Sequence, residues 1–156
     1  MLPSTAKSLS TGRDSGLDAS AVSGAWAAVR AAFSAAAFLL VAVSKTNAIE
    51  VVGAPTDAGG FGRLEAELLG APDRVLYGAC PFSRGGQQRW CFFSWVGAGV
   101  GGMARARVSL QRGGVYKALE GCSAELQWMG DAAEIKHGAV LKALAALPGA
   151  GEVEVP

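Results

Sequence analysis

The chain is short of charge, histidine and cysteine, and each shortage removes a class of function. Charged residues make up 17% of the 156 positions, and the formal net charge is +1. A nucleic-acid binder needs a concentrated basic footprint, so no nucleic-acid partner is expected and any basic site must be local. His137 is the only histidine. It stands among lysine, glycine and alanine, where a solvent-facing helix position is expected rather than a catalytic base. No nucleophile has a visible base, so no enzyme activity is expected. Cys80, Cys91 and Cys122 are odd in number, far apart in sequence and without a C-x-x-C pair, which argues against a disulfide framework or a metal site. Each lies in an apolar run, where a thiol behaves as a small buried hydrophobe. A reducing, cytoplasmic compartment fits that use. Long apolar runs are missing too. Ala31 to Val43 is 13 residues, against ~20 for a bilayer span, and it begins too late for a usual secretory signal. No transmembrane segment, metal or cofactor is expected.

Hydrophobic residues, at 51%, are plentiful enough for an ordered core, and the length suits one domain that buries ~70% of its unfolded surface. Residues 1–16, rich in Ser, Thr and Gly, read as a flexible tail. A first helix is expected from about Ala19 to Ala32, capped by Asp18 or Ser20, with Val22, Trp26 and Val29 as its apolar stripe. FLLVAV and AIEVV, joined by Ser44-Lys45-Thr46-Asn47, read as an antiparallel hairpin. FGRLEAELLG reads as a short amphipathic helix on Phe61, Leu64 and Leu68, ended by Gly70 and Pro72. A third strand is expected from Arg74 to Phe82, with Gly85-Gly86 supplying the positive φ of a hairpin turn. Near the C-terminus CSAELQW alternates as a fifth strand. Asp131 and Glu134 have the spacing of a capping box for a last helix, whose buried stripe is Ile135, Ala139, Val140, Ala143, Leu144 and Leu147. The end, EVEVP, is acidic and is expected to be loose.

The chain is organised around Arg89 to Arg112. Trp90 to Trp95 holds four aromatics and reads as a strand buried on both faces. A glycine-rich turn follows, then MARARVSLQR, a helix-prone segment carrying three arginines. Gly97, Gly99 and Gly102 spell G-x-G-x-x-G between strand and helix, as a dinucleotide fingerprint requires. The acid expected ~20 residues later is represented only by Glu120, and the upstream elements read as hairpins rather than βαβ units. A nucleotide-binding enzyme is therefore only an alternative. Gly113-Gly114 interrupts the basic helix, at ~2 kcal/mol relative to alanine, and marks a kink or an end.

The run W-V-G-x-x-V-x-G-M-x-R-A-R, Trp95 to Arg107, resembles the coactosin branch of the actin-depolymerising-factor homology family. That branch has a strand ending in Trp, then Gly, a short loop, and a helix opening with a basic-Ala-basic triplet, here Arg105-Ala106-Arg107. Arg89 stands where the branch has a basic residue before the strand. The resemblance implies an α/β fold of α+β type, a central five-stranded mixed sheet with helices on both faces, over residues 17–147, and a flexible C-terminal tail from 148 to 156. It implies a cytoskeletal protein, a monomer, whose partner is filamentous actin, or alternatively monomeric actin or another cytoskeletal protein.

The same resemblance suggests where the partner is held. Arg105 and Arg107 match the paired basic positions of the actin-contacting helix, and Arg89 matches the filament-binding residue at the strand start. Lys136 lies where the family carries filament contacts. Residue by residue, Arg105 and Arg112 share a helix face with Ser109 between them, Arg107 lies about 200° round from Arg105, and Met103 is free either to enter an apolar groove on a partner or to pack in the core.

Overall fold

A computed structural model describes residues 16–57 and 60–156. The N-terminal tail, with Ser4, Ser8 and Ser10, lies outside the described residues save for Gly16. The elements run α1 (Ser23–Ala31), β1 (Leu39–Val43), β2 (Ile49–Gly53), α2 (Phe61–Leu69), β3 (Val75–Arg84), β4 (Gln87–Val96), α3 (Gly102–Ala118), β5 (Ala124–Trp128), α4 (His137–Ala145) and β6 (Val153–Glu154). Short 3-10 turns at Phe33–Ala35 and Ala132–Ile135 complete the order.

The sheet has the order β2-β1-β3-β4-β5, with β6 added beside β3. All pairings are antiparallel except β4 with β5, which is parallel. The expected five-stranded mixed sheet is therefore present, with one short strand more. Strand periodicity divides the core. Trp90 and Phe92 of β4 join Trp26, Val29, Val115 and Leu119 on the face covered by α1 and α3. Cys91, Phe93 and Trp95 join Leu64, Leu68, Val140 and Leu144 on the face covered by α2 and α4. Trp90 to Val96 are all buried, as a strand covered on both sides must be.

Several elements differ from expectation in instructive ways. Helix α1 begins at Ser23, not Ala19, because Asp18 caps a turn instead: its carboxylate accepts from Ser20 N at 2.9 Å, which holds that carboxyl below its usual range. The β3–β4 hairpin reaches two residues further, to Arg84 and Gln87. Only Gly85-Gly86 form its turn, at φ 59° and 81°. The capping box at Asp131 and Glu134 forms, but on the 3-10 turn; Lys136 is extended and α4 starts one residue later. Helix α3 runs through Gly113 and Gly114 to Ala118, so the glycine pair neither ends it nor stops the buried Gly114 and Val115 from seating on the sheet.

The loose acidic end is the largest correction. Val153 and Glu154 pair with Arg84 and Ser83, Val155 is buried, and Pro156 O accepts from Phe61 N at 2.9 Å. His137, expected to face solvent, donates from Nε2 to Val155 O at 2.7 Å. Arg84 binds this end from the sheet. Its guanidinium donates to Leu144 O and Leu147 O at 3.3 and 3.0 Å, and to Ala145 O and Gly149 O at 3.4 and 2.8 Å. The carbonyls at the end of α4 thereby gain a cation, the favourable sign for a helix C-terminus. Pro81 marks the gap on this side of β3, where β1 pairs only as far as Ala79 and β6 begins at Ser83. A residue without an N–H fits where no strand is there to receive one.

Candidate functional site

Helix α3 lies across the sheet on its Val115 side. Gln111 meets the sheet through Tyr77, whose hydroxyl donates to Gln111 Oε1 at 3.0 Å. Burial raises the Tyr77 phenol to about 12, against a smaller opposing pull from Arg112. On the flank toward β5, Arg112 Nε pairs with Glu125 Oε2 at 2.9 Å. On the opposite flank Arg107 lines a hollow of about 260 Å³ with Glu50, Asp73 and Arg74, and it makes no hydrogen bond or ion pair with another described residue.

The outward face is apolar where a helix surface is normally polar. Met103 and Leu110 are each 76% exposed, with Ala106 and Gly113 exposed between and beyond them. At 100° per residue these positions form one stripe, with Arg107 along its border. Met103 is thus not a core residue. Leu110 was missed by the sequence reading, although its place seven residues after Met103 puts the two on one line.

The six residues singled out from the sequence do not form one cluster. Arg105 is turned back on the loop before the helix: its Nε donates to Val100 O at 3.0 Å, and one terminal nitrogen reaches Gly97 O and Ala98 O, each at 3.4 Å. Arg89 is at the far end of β4, roughly 20 Å from the start of α3 at ~3.3 Å per residue. It donates to Gln87 Oε1 at 2.8 Å, while its Nε is buried without a partner. Lys136 is on the other side of the sheet, paired with Glu65 Oε2 of α2 at 3.1 Å. Only Met103 and Arg107 share one free surface.

The glycine loop serves the fold. It does join a strand to a helix between two parallel strands, as a phosphate cradle would. Three of its amides, however, are used internally: Gly97 N donates to Arg74 O, Gly99 N to Pro72 O and Val100 N to Gly97 O, at 3.0, 2.9 and 3.0 Å. A Cβ on Gly97 would stand 2.1 Å from Pro72 O, and one on Gly99 equally close to Asp73 Oδ1. These glycines permit close packing on residues 71–73. Glu120, the candidate ribose acid, offers its main-chain carbonyl to Trp26 Nε1 at 2.9 Å.

This arrangement, a five-strand core order with one parallel pair and a long helix crossing it, is matched by sequence as well as shape. The sequence profile of the cofilin/tropomyosin-type actin-binding proteins covers residues 17–145. The chain belongs to this actin-binding family. Its solved relatives include human coactosin-like protein, at 17% identity over 84% of this chain and 98% of that one, with a TM-score of 0.70. Coactosin from Entamoeba histolytica matches at 22% identity over 81% and 92%, with a TM-score of 0.67. Mouse coactosin, described as an actin filament binding protein, matches at 18% identity over 80% and 90%, with a TM-score of 0.60. No curated protein matches by sequence. For this member of the cofilin/tropomyosin-type family, helix α3 offers the apolar stripe and Arg107 as a surface, with Arg105 and the glycine loop holding its first turn in place. Among the described residues no helix is long and apolar enough to cross a membrane.

Proposed function

We propose that this protein binds the sides of actin filaments through the outer face of α3, with Met103, Arg107 and Leu110 as central contacts and Arg89 as a separate basic contact. The observation that carries the reading is the stripe itself. Two large apolar side chains, each 76% exposed, lie on the helix of a chain belonging to an actin-binding family, beside an arginine that makes no hydrogen bond or ion pair with another described residue. An acidic filament is attracted by Arg107 and Arg89, while Met103 and Leu110 supply area that is best removed from water. Arg105 acts chiefly by positioning the helix start. Arg112 and Lys136 reach a filament only by sharing or releasing Glu125 and Glu65. The coactosin-like fold, one of whose holders is described as filament binding, supports filaments as the form bound.

Sedimentation with filamentous actin tests this. Wild type is expected to pellet, and Arg107→Ala and Leu110→Ser to pellet less, each lost contact costing ~1–3 kcal/mol. Failure of the wild type to pellet at low salt would remove the function. Equal pelleting by all variants across a salt series would remove the site. Binding to monomers alone, in a parallel assay with unpolymerised actin, would replace filaments with monomers as the partner.

A further inference from the structure

Between the β3–β4 hairpin and the end of α4 lies a hollow of about 120 Å³, with Phe82, Arg84, Arg89, Leu144, Leu147 and Gly149 among its lining residues. Strand alternation puts both arginines on one side of the sheet. Arg84 is two residues beyond Phe82, while Arg89 is paired with Phe82 and stands two residues before Cys91. Phe82 and Cys91 belong to the core under α2 and α4, so both guanidinium groups stand on that face. They are diagonal neighbours across the hairpin, a spacing of ~7–8 Å between such positions.

Each group keeps a donor that the protein leaves unused. Arg84 gives its terminal nitrogens to carbonyls at the end of α4, and Arg89 gives one of its own to Gln87 Oε1. The Nε atoms of both are buried and have no hydrogen-bond partner. A buried charged donor without an acceptor is destabilising, and two like charges side by side on one sheet face add to the cost. No carboxylate is among the residues that line the hollow. Glu154 of β6 is paired with Ser83, so alternation turns it to the other face, and the residue opposite Arg84 is Val153. The C-terminal end of α4 contributes about half a negative charge, against two full positive ones. Gly149 leaves Arg84 uncovered, since a Cβ there would stand 3.0 Å from the guanidinium carbon.

We infer that this hollow binds one free inorganic oxyanion, of the phosphate or sulfate class, through the Nε donors of Arg84 and Arg89. Guanidinium groups and a tetrahedral anion form strong charge-assisted bonds. Water satisfies the donors but leaves both charges uncompensated. The volume is about four times the ~30 Å³ that a water molecule takes in the liquid, which is room for a tetrahedral ion. The walls from Phe82, Leu144 and Leu147 give an organic substituent on that ion no hydrogen-bond partner, so the free ion fits better than an ester. Bound there, the ion ties the hairpin to the last helix. The inference goes beyond the filament reading and does not depend on it.

The test uses the full chain and no actin. Arginine Nε signals are followed by NMR while sodium phosphate is added, with sodium chloride holding the ionic strength constant. Arg84 and Arg89 are expected to shift saturably with one shared midpoint, and to do so with sulfate as well. Arg63, exposed on α2, should not. Arg89→Ala is expected to weaken phosphate binding at Arg84 roughly tenfold, the scale of one charge-assisted contact. Arg89→Lys should recover only part of that, because an ammonium lacks the guanidinium fork. Absence of a saturable shift would leave water as the occupant and overturn the inference. Different midpoints for the two arginines, or an equal response from Arg63, would show general screening and overturn it too, as would wild-type affinity in either Arg89 variant. Glycerol phosphate, a soluble stand-in for a lipid headgroup, should bind far more weakly than inorganic phosphate; equal binding would overturn the assignment to a free ion.

Discussion

Arg105→Ala and Arg107→Ala are expected to separate two arginines that the sequence presents as a pair. Arg105 makes one well-formed bond, Nε to Val100 O at 3.0 Å, and two long ones at 3.4 Å. A hydrogen bond from a charged donor contributes ~1.5–3 kcal/mol when protected. Here the guanidinium is only half-buried, so water replaces part of that on removal. Loss of a cation from the first turns of a helix returns ~0.3–1 kcal/mol. The net cost is about 1 kcal/mol, or a fall in Tm of ~2–4 °C for a chain of this size. Arg107 makes no hydrogen bond or ion pair with another described residue, so its removal should stay within ~0.5 kcal/mol. Filament affinity should move the other way, with a large loss for Arg107→Ala and a small one for Arg105→Ala. Urea unfolding gives the stability of each variant and sedimentation the affinity. If Arg105→Ala is as stable as wild type and loses as much affinity as Arg107→Ala, Arg105 is a direct contact and the positioning role is wrong.

The remaining predictions concern the core and the chain end. Val155→Ala removes two buried carbons, worth ~1.5 kcal/mol, and should lower Tm by ~3–6 °C; an unchanged Tm would mean the terminal strand is not bound in solution. Tyr77 keeps its proton more tightly when folded, its pKa rising from 10.0 to about 12. Its contribution is therefore complete below pH 10 and is lost as pH climbs from 10 through 12. Cys122, raised from 9.0 to about 12 by burial, acts in the same direction from pH 9. Stability measured across pH 8 to 12 should fall in this window, and Tyr77→Phe should flatten the fall; an identical slope in both proteins would show that another group governs it.

Much of this molecule is legible in its sequence where one signal dominates. Trp26 and Val29, or Phe61, Leu64 and Leu68, could form only one face of a helix, and all five are buried, as is Val22 just before the first of these helices. Gly85-Gly86 between two β-rich runs leaves little choice but a tight hairpin. The misses at the chain end, at His137, at Arg112 and at Lys136 originate in partners distant in sequence; those at Arg105 and Leu110 are local. EVEVP reads as loose because its order comes from Ser83, Arg84 and Phe61, none of them local. His137 reads as solvated until Val155 arrives beside it. Arg105 and Arg107 look alike in a motif, but the carbonyls of residues 97, 98 and 100 can be reached only by the first. Leu110 lacked a charge to draw notice. Lys136 and Arg112 stand in the sequence as candidate contacts, and the carboxylates that hold them are on other elements. The family motif at Trp95 to Arg107 carried the fold; it did not distinguish which basic residues remain available.

The Arg84 clamp also bears on the order in which the chain assembles. Its four bonds connect residues 60 to 65 positions apart. Closing a loop of that length has an entropic cost of (3/2)RT ln n plus a constant, and contacts of such separation slow folding. By contrast the β3–β4 hairpin on which Arg84 sits closes over a two-residue turn. The hairpin can therefore form early, with Arg84 at its tip exposed, and wait for α4 to be delivered. The clamp then registers the end of folding, joining the last helix and the terminal strand to a sheet already built.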